Sequence, residues 1–206
     1  MKKEVLDAHE SNRFIAKFIS VPDSQLVKKA SDITIKVPLV LKIVSEQAIH
    51  KTEIGVVRVV QHTTEISENF NELISIAKKN KIAIKGIMAQ EFISGQQIII
   101  GLKKDETFGH VIAVGLGGIF TELFKDVSIR KCPIDKFEAQ GMINNLKSHK
   151  LFEGFRNIHL NTDLLNETLV TISQISQKNK NIQEMDINPF ILNEKEGKAV
   201  DVRIIL

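Results

Sequence analysis

Lys42 interrupts the apolar run Leu39–Val44, and the pair His50-Lys51 follows on a polar stretch before Gly55 opens a second apolar run. Burying an ammonium without a partner is costly. The Lys42 stem therefore either snorkels to a solvated head at a sheet edge, or its charge is aimed at an anion lying over the sheet. His50 by its local chemistry alone reads as a surface residue. Its position eight residues after Lys42, between the same two strands, lets both face one ligand. A neutral imidazole is nucleophilic near neutral pH, so a phosphoryl acceptor is within its repertoire.

A second constellation is C-terminal. In Met185-Asp186-Ile187-Asn188-Pro189-Phe190, Asp186 and Asn188 are two apart and share one strand face, with Pro189 expected to end the pairing. Asp201 and Arg203 repeat that spacing beyond the turn Asn193–Gly197. Hard oxygen donors of this kind suit Mg²⁺, which takes one or two protein ligands and leaves the rest to phosphate and water. An ordinary set of turn-flanking surface pairs reads equally well. Gly115, Gly117 and Gly118 precede Glu122, Lys125, Asp126 and Arg130. Such glycines either present N–H groups to an anion or simply make a turn.

These residues need elements to position them. Strands are expected near 37–44, 54–61, 84–93, 96–103, 110–115 and 126–131, and helices over 66–79, 135–148 and 162–178. Asp135 and Glu138 have capping-box spacing. A broken apolar stripe covers 3–19, residues 24–35 are polar with weak periodicity, and the chain ends in a hairpin over 182–206. Strands joined largely by hairpins indicate an α+β fold rather than a doubly wound sheet. Neither GxxxxGK[ST] nor GxGxxG at a strand-to-helix turn occurs.

The chain has 206 residues, 43% hydrophobic and 26% charged, with a net charge of +3 and neither Trp nor Tyr. Dispersed basic residues, and base-stacking platforms that fall to Phe and His alone, argue against nucleic acid. No apolar run approaches the ~20 residues of a membrane span, and the start lacks a signal-peptide core. The single cysteine, Cys132, excludes an intrachain disulfide and reads as a structural thiol. A cytoplasmic location follows as the expectation.

Taken together, PLVLKIVSEQAIHKTEIGVVRV, GIMAQEFISGQQIIIGLKKDETFGHVIAVGLGGIFTELFKDVSIRKCPI, LFEGFRN, EMDINPFI and the terminal VDVRIIL resemble one family. It is the ATP-grasp β subunit of ADP-forming acetyl-CoA synthetase, or acetate–CoA ligase (ADP-forming). The resemblance implies an ATP-grasp fold with two α+β subdomains, here 1–93 and 94–206, holding ATP between antiparallel sheets. It implies that phosphate passes to a histidine of this chain and then to ADP, making ATP, with Mg²⁺ as cofactor. The partner that the resemblance implies is a CoA-binding α subunit, in a hetero-oligomer of two α and two β subunits.

Carried over by position, His50 accepts the phosphoryl group and Asp186 supports it. Lys42 and Lys51 contact nucleotide phosphates, with Arg203 beside them. Gln90, Glu91, Phe92 and Ile93 form the hinge at adenine. Asn188 and Asp201 hold Mg²⁺, and Glu122 and Arg130 lie near the transfer site. This chain departs from the family at Gln97, where Glu is usual, at Val56 after the loop, and in a short segment between Pro22 and Pro38. Gln97 and that shortening also fit a non-catalytic ATP-grasp-like regulatory module, such as that of some protein acetyltransferases. The succinyl-CoA synthetase β subunit is related, but it carries a further C-terminal domain.

Overall fold

The computed structural model describes residues 4–45, 56–118 and 126–206. His50, Lys51 and Glu122 lie outside the described residues. The chain divides into two units, each with its own antiparallel sheet.

The smaller unit comprises residues 6–10 and 22–93. Its strands are β1 (Ser24–Val27), β2 (Leu39–Val44), β3 (Val57–Val60) and β4 (Gly86–Glu91), in the order β1-β4-β2-β3. Helix α2 (Ile66–Lys79) covers one face. Its Phe70, Leu73 and Ala77 pack with Leu39, Leu41, Ile43, Val60, Ile87 and Ala89. Strand alternation therefore puts Val40, Lys42, Met88 and Gln90 on the other face. Helix α2 has the bounds that its periodicity predicts, and Lys78 and Lys79 close it at the negative end of its dipole.

The larger unit comprises residues 1–5, 11–21 and 94–206. Its sheet runs β10-β8-β5-β6-β7, with β9 beside β8. The strands are β5 (Gln96–Asp105), β6 (Gly109–Leu116), β7 (Val127–Lys131), β8 (Glu184–Leu192), β9 (Gly197–Ala199) and β10 (Val202–Ile205). Helices α3 (Lys136–Asn144) and α4 (Thr162–Lys178) pack on one face. Ile98, Ile100, Leu102, Ile112, Val114, Met185, Ile187 and Ile204 meet them there, with Leu165, Leu169, Ile172 and Ile175 contributed by α4. At 20–30 cal/mol per Å², each such aliphatic side chain contributes roughly 1.5–3 kcal/mol on burial.

Four expectations are corrected. Residues 11–21 join the larger unit rather than the smaller one. The Ser20 carbonyl accepts from Ala199 N–H at 2.9 Å, and Val5 bridges Ile205. The stripe over 3–19 forms only helix α1 (Ala8–Ile15), which the capping box of Asp7 and Glu10 starts: Asp7 Oδ1 accepts from Glu10 N at 2.9 Å and Glu10 Oε2 from Asp7 N at 2.9 Å. Helix α3 stops short of 148, because Asp126 draws the N–H groups of Lys147 and Ser148 to its carboxylate at 2.7 and 2.9 Å. Pro189 does not end its strand. Phe190 pairs Ile98 and Ile187 pairs Ile100, so β8 carries one extra residue at Asn188-Pro189, and a bulge is where a strand tolerates the missing N–H. Strand β1 fell in the stretch that periodicity left polar. Among the described residues, no helix is long and apolar enough to cross a membrane.

Candidate functional site

The face of the larger sheet away from α3 and α4 is built in cross-strand rows. One row runs Arg203, Asp186, Gly101, Ala113, Ile129 across β10, β8, β5, β6 and β7. The next holds Ile99, Gly115 and Val127, with Asn188 and Asp201 at its other end. The β8 bulge is matched on its partner side by the bend at Val200-Asp201 between β9 and β10. There Pro189 O accepts from Val200 N at 3.0 Å, and Asp201 O accepts from Asn188 N at 3.0 Å. That backbone bond holds Asn188 and Asp201 side by side. Both are exposed, as is Arg203, while the alternate residues Ile187, Val202 and Ile204 are buried.

Asp186 is half-buried, and its carboxylate forms no hydrogen bond among the described residues. Burial raises its pKa above the ordinary carboxylate range. The negative charges of Glu184 and Asp201 add to that rise, and Arg203 opposes it. This is a face short of positive charge. Asn188 and Asp201 offer adjacent, solvent-facing oxygens, the donor chemistry that Mg²⁺ takes when phosphate and water complete its shell. No cluster of three or more His, Cys, Asp or Glu side chains able to hold a metal occurs among the described residues. The two-oxygen set thus fits a metal that arrives with a phosphate ligand better than one caged by protein.

Gln97 also lies on this face, two residues before Ile99. Its main-chain oxygen accepts from Gly117 N–H at 2.8 Å. A Cβ at Gly117 would stand 3.0 Å from Gln97 Cβ, and one at Gly118, whose φ is +71°, would stand 3.1 Å from Gln97 Oε1. The glycine turn is thus moulded on Gln97. Arg130 is not part of this face. It pairs Ile112, a residue of the buried face, and its guanidinium bonds Ile129 O at 2.8 Å.

In the smaller sheet, Lys42 is 9% exposed and pairs Met88 on one side and Val57 on the other. Gln90, fully buried, pairs Val40 in the adjoining row on the same face. Polar Lys42 and Gln90 are thus set among Leu26, Val40, Met88, Val57 and Val59. The hinge N–H groups are partly spoken for: Glu91 N donates to Asp23 O at 2.9 Å and Phe92 N to Pro38 O at 3.2 Å. Adenine contact through those two donors is therefore excluded in this arrangement. Phe92 is 37% exposed and Ile93 is buried. Val56, the departure after the loop, is a core residue whose carbonyl accepts from Ile43 N at 3.2 Å.

Sequence reasoning missed the bare stretch beside Asp186. Gly101 on β5 and Ala113 and Gly115 on β6 keep that part of the face free of large side chains. The signal was available, as a lone glycine in IIIGLK and small residues at period two in AVGLGG, within otherwise apolar strands.

Two sheets of this order, with lysine on one and a carboxylate–amide set on the other, define the ATP-grasp class of nucleotide-binding domain. The ATP-grasp domain family matches residues 1–206, and the chain belongs to it. It is 42% identical over 178 residues to acetate–CoA ligase (ADP-forming) of Methanocaldococcus jannaschii, covering 81% of this chain and 25% of that protein. It is 32% identical over 201 residues to subunit beta of acetate–CoA ligase (ADP-forming) II of Pyrococcus furiosus, covering 91% of this chain and 85% of that one. The chain thus spans about a quarter of the length of the longer curated relatives. Among solved structures it is similar to the dinucleotide-forming acetyl-coenzyme A synthetase 1 of Ca. Korarchaeum cryptofilum in complex with coenzyme A and Ca-AMPCP. The TM-score is 0.94 and the identity 38%, covering 98% of this chain and 93% of that one. A second structure of that synthetase, with Mg-AMPPCP and its phosphohistidine segment pointing towards the nucleotide site, gives a TM-score of 0.85 at 37% identity, over 97% of this chain and 91% of that one.

Proposed function

We propose that this chain is the nucleotide-binding β part of an ADP-forming acid–CoA ligase, exchanging a phosphoryl group between a histidine and ADP. The observation that carries the reading is the set of half-buried Asp186 and exposed Asn188, Asp201 and Arg203 in two adjoining rows, gathered on one face by a bulge and a bend. Relatives that hold Mg-AMPPCP and a phosphohistidine segment support it.

In this reading, His50 carries the phosphoryl group. An oxygen of the ADP β-phosphate attacks phosphorus, the N–P bond breaks, and the imidazole regains its lone pair. Asp186 orients the imidazole, Lys42 and Lys51 offset phosphate charge, and Asn188 with Asp201 would hold Mg²⁺. When bound, that ion neutralises phosphate oxygens and aligns them. Positioning and charge stabilisation supply most of the acceleration in such transfers. A CoA-binding α part, in a hetero-oligomer of two α and two β subunits, would supply acyl phosphate chemistry. The cytoplasm is the proposed location.

The test has two arms. Calorimetry should show ADP binding that requires Mg²⁺ and weakens by about tenfold or more in Asp201→Asn. With the α part present, His50→Ala should abolish ATP formation from acyl-CoA, phosphate and ADP; wild-type rates in that variant would sink the carrier role. Gln97, neutral where the family resemblance leads one to expect Glu, favours a second reading as a regulatory module, which absence of Mg²⁺-dependent nucleotide binding would support.

A further inference from the structure

Gly101 sits in the interior of the ten-residue strand β5. Glycine there weakens a strand, through backbone entropy and the missing side chain, and often marks a bulge or the close approach of another group. No bulge explains it: the irregularity in the β5–β8 ladder falls between Ile98 and Ile100, and the β5–β6 register is continuous through Gly101. Backbone conformation does not explain it either, since its φ lies outside the left-handed region. Nor does packing. Among the described residues, a Cβ built on Gly101 meets only the Ala113 Cβ, at 3.9 Å, an ordinary contact. The contrast with its neighbours on the same face is direct. A Cβ on Gly115 would strike Asp126 O at 2.5 Å, and one on Gly117 would crowd Gln97 at 3.0 Å. Those glycines have a reason inside the protein; among the described residues Gly101 has none.

What Gly101 does have is a place. It pairs Asp186 directly across the sheet, in the row that Arg203 ends. Directly opposed side chains in such a pair stand roughly 4.5–5.5 Å apart at Cβ. Any side chain longer than alanine's would rise beside the Asp186 carboxylate and cover it. Asp186 itself makes no hydrogen bond among the described residues that such a side chain would need to respect.

Resting on the function proposed above, we propose that Gly101 is a specificity-determining clearance in that site: the phosphate chain of a Mg²⁺-bound nucleoside diphosphate lies across it, against Asp186 and beside Asn188 and Asp201. The residue acts by being absent, so its replacement separates binding from folding. A β-branched or larger side chain suits a half-buried strand position better than glycine does. The variants Gly101→Ala and Gly101→Val should therefore melt at or above the wild-type temperature. Mg-ADP affinity, read by calorimetry on the full chain, should change by no more than about threefold in Gly101→Ala and fall by on the order of ten- to a hundredfold in Gly101→Val.

Wild-type affinity in a folded Gly101→Val protein would overturn the inference. So would a lowered melting temperature in Gly101→Ala, because the glycine would then serve the fold; this arm remains readable even if Gly101→Val fails to fold. Failure of the unaltered chain to bind Mg-ADP would refute the proposed function itself, a result distinct from either.

Discussion

Asp7 offers a prediction whose size follows from its contacts. Its side chain is 2% exposed, against 39% for its partner Lys85, whose Nζ donates to Asp7 Oδ2 at 2.7 Å. Asp7 Oδ1 accepts from His9 N at 2.8 Å and Glu10 N at 2.9 Å, capping α1. Replacing Asp7 by alanine strips both N–H groups of their acceptor, a loss of about 1 kcal/mol with a range of 0.5–2. It also removes the ion pair. Lys85 is partly solvated and lies 3.7 Å from Glu10 Oε1, which can take over, so that part contributes only about 0–1 kcal/mol. The sum is about 1–2 kcal/mol, or about 2–8 °C in melting temperature for a chain of this length. Asp7→Asn keeps the cap and loses only the charge, so it should cost about 1 kcal/mol or less. Calorimetric melts of both variants, near neutral pH, decide the matter. If alanine costs no more than asparagine, the cap contributes nothing and the reasoning fails. Burial works against the Asp7 charge, but Lys85 and the N–H groups of Glu10 and His9 hold its pKa below the usual range. The stability it supplies is therefore present above the ordinary carboxylate pKa, about 3.9, and lost as pH falls through the lower folded value.

Asp186 should behave in the opposite sense: its raised pKa means that its ionisation costs the fold stability as pH rises through that value, so Asp186→Asn should melt higher than wild type near pH 7 and match it below about pH 4. A melting temperature lowered by Asp186→Asn at neutral pH would contradict the electrostatics described for this face. At Asp126, burial alone would raise the pKa, but hydrogen bonds from Ser148 and Lys147 hold it low, so Asp126→Ala should destabilise near pH 7, and the deficit should shrink in acid. The thiol of half-buried Cys132, which burial pushes up to about 11, should resist alkylation at pH 8 in the native protein and react readily in denaturant; fast native labelling would argue against the packing around it.

Much of the fold was legible because periodicity and caps agree with the final packing. Helices α2 and α4 keep Leu73 and Ala77, and Leu165, Leu169 and Ile172, on one buried face, and no tertiary contact overrides that preference. The terminal face was legible in part. Period-two spacing put Asp186 with Asn188 and Asp201 with Arg203, but not the two pairs at matching rows, because the bulge and the bend that align them cancel each other across the ladder. Strand β1 was hidden because Ser24-Gln25-Leu26-Val27 carries little pattern of its own; its pairing with β4 decides it. The exchange of residues 11–21 into the larger unit depends on hydrogen bonds to the far end of the chain, such as Ser20 with Ala199, which no local window contains.

The β8 bulge has a consequence for how this chain tolerates length changes. Upstream of it, odd-spaced Met185 and Ile187 are buried; downstream, Phe190 takes the buried position with no regard to that count. Deleting one residue at 188–189 would straighten the strand and leave Ile187 and Phe190 two apart, both still facing the core, but it would remove the bulge that sets Asn188 beside Asp201. Four residues later, the turn at Asn193–Glu196 closes on itself through Asn193 Oδ1, which accepts from Lys195 and Glu196 N–H at 2.9 and 3.0 Å. Insertions there leave both ladders in phase. Protein engineers wishing to add an epitope or a fluorophore to this unit therefore have a permissive position within ten residues of one where a change in count spares the core but undoes the site.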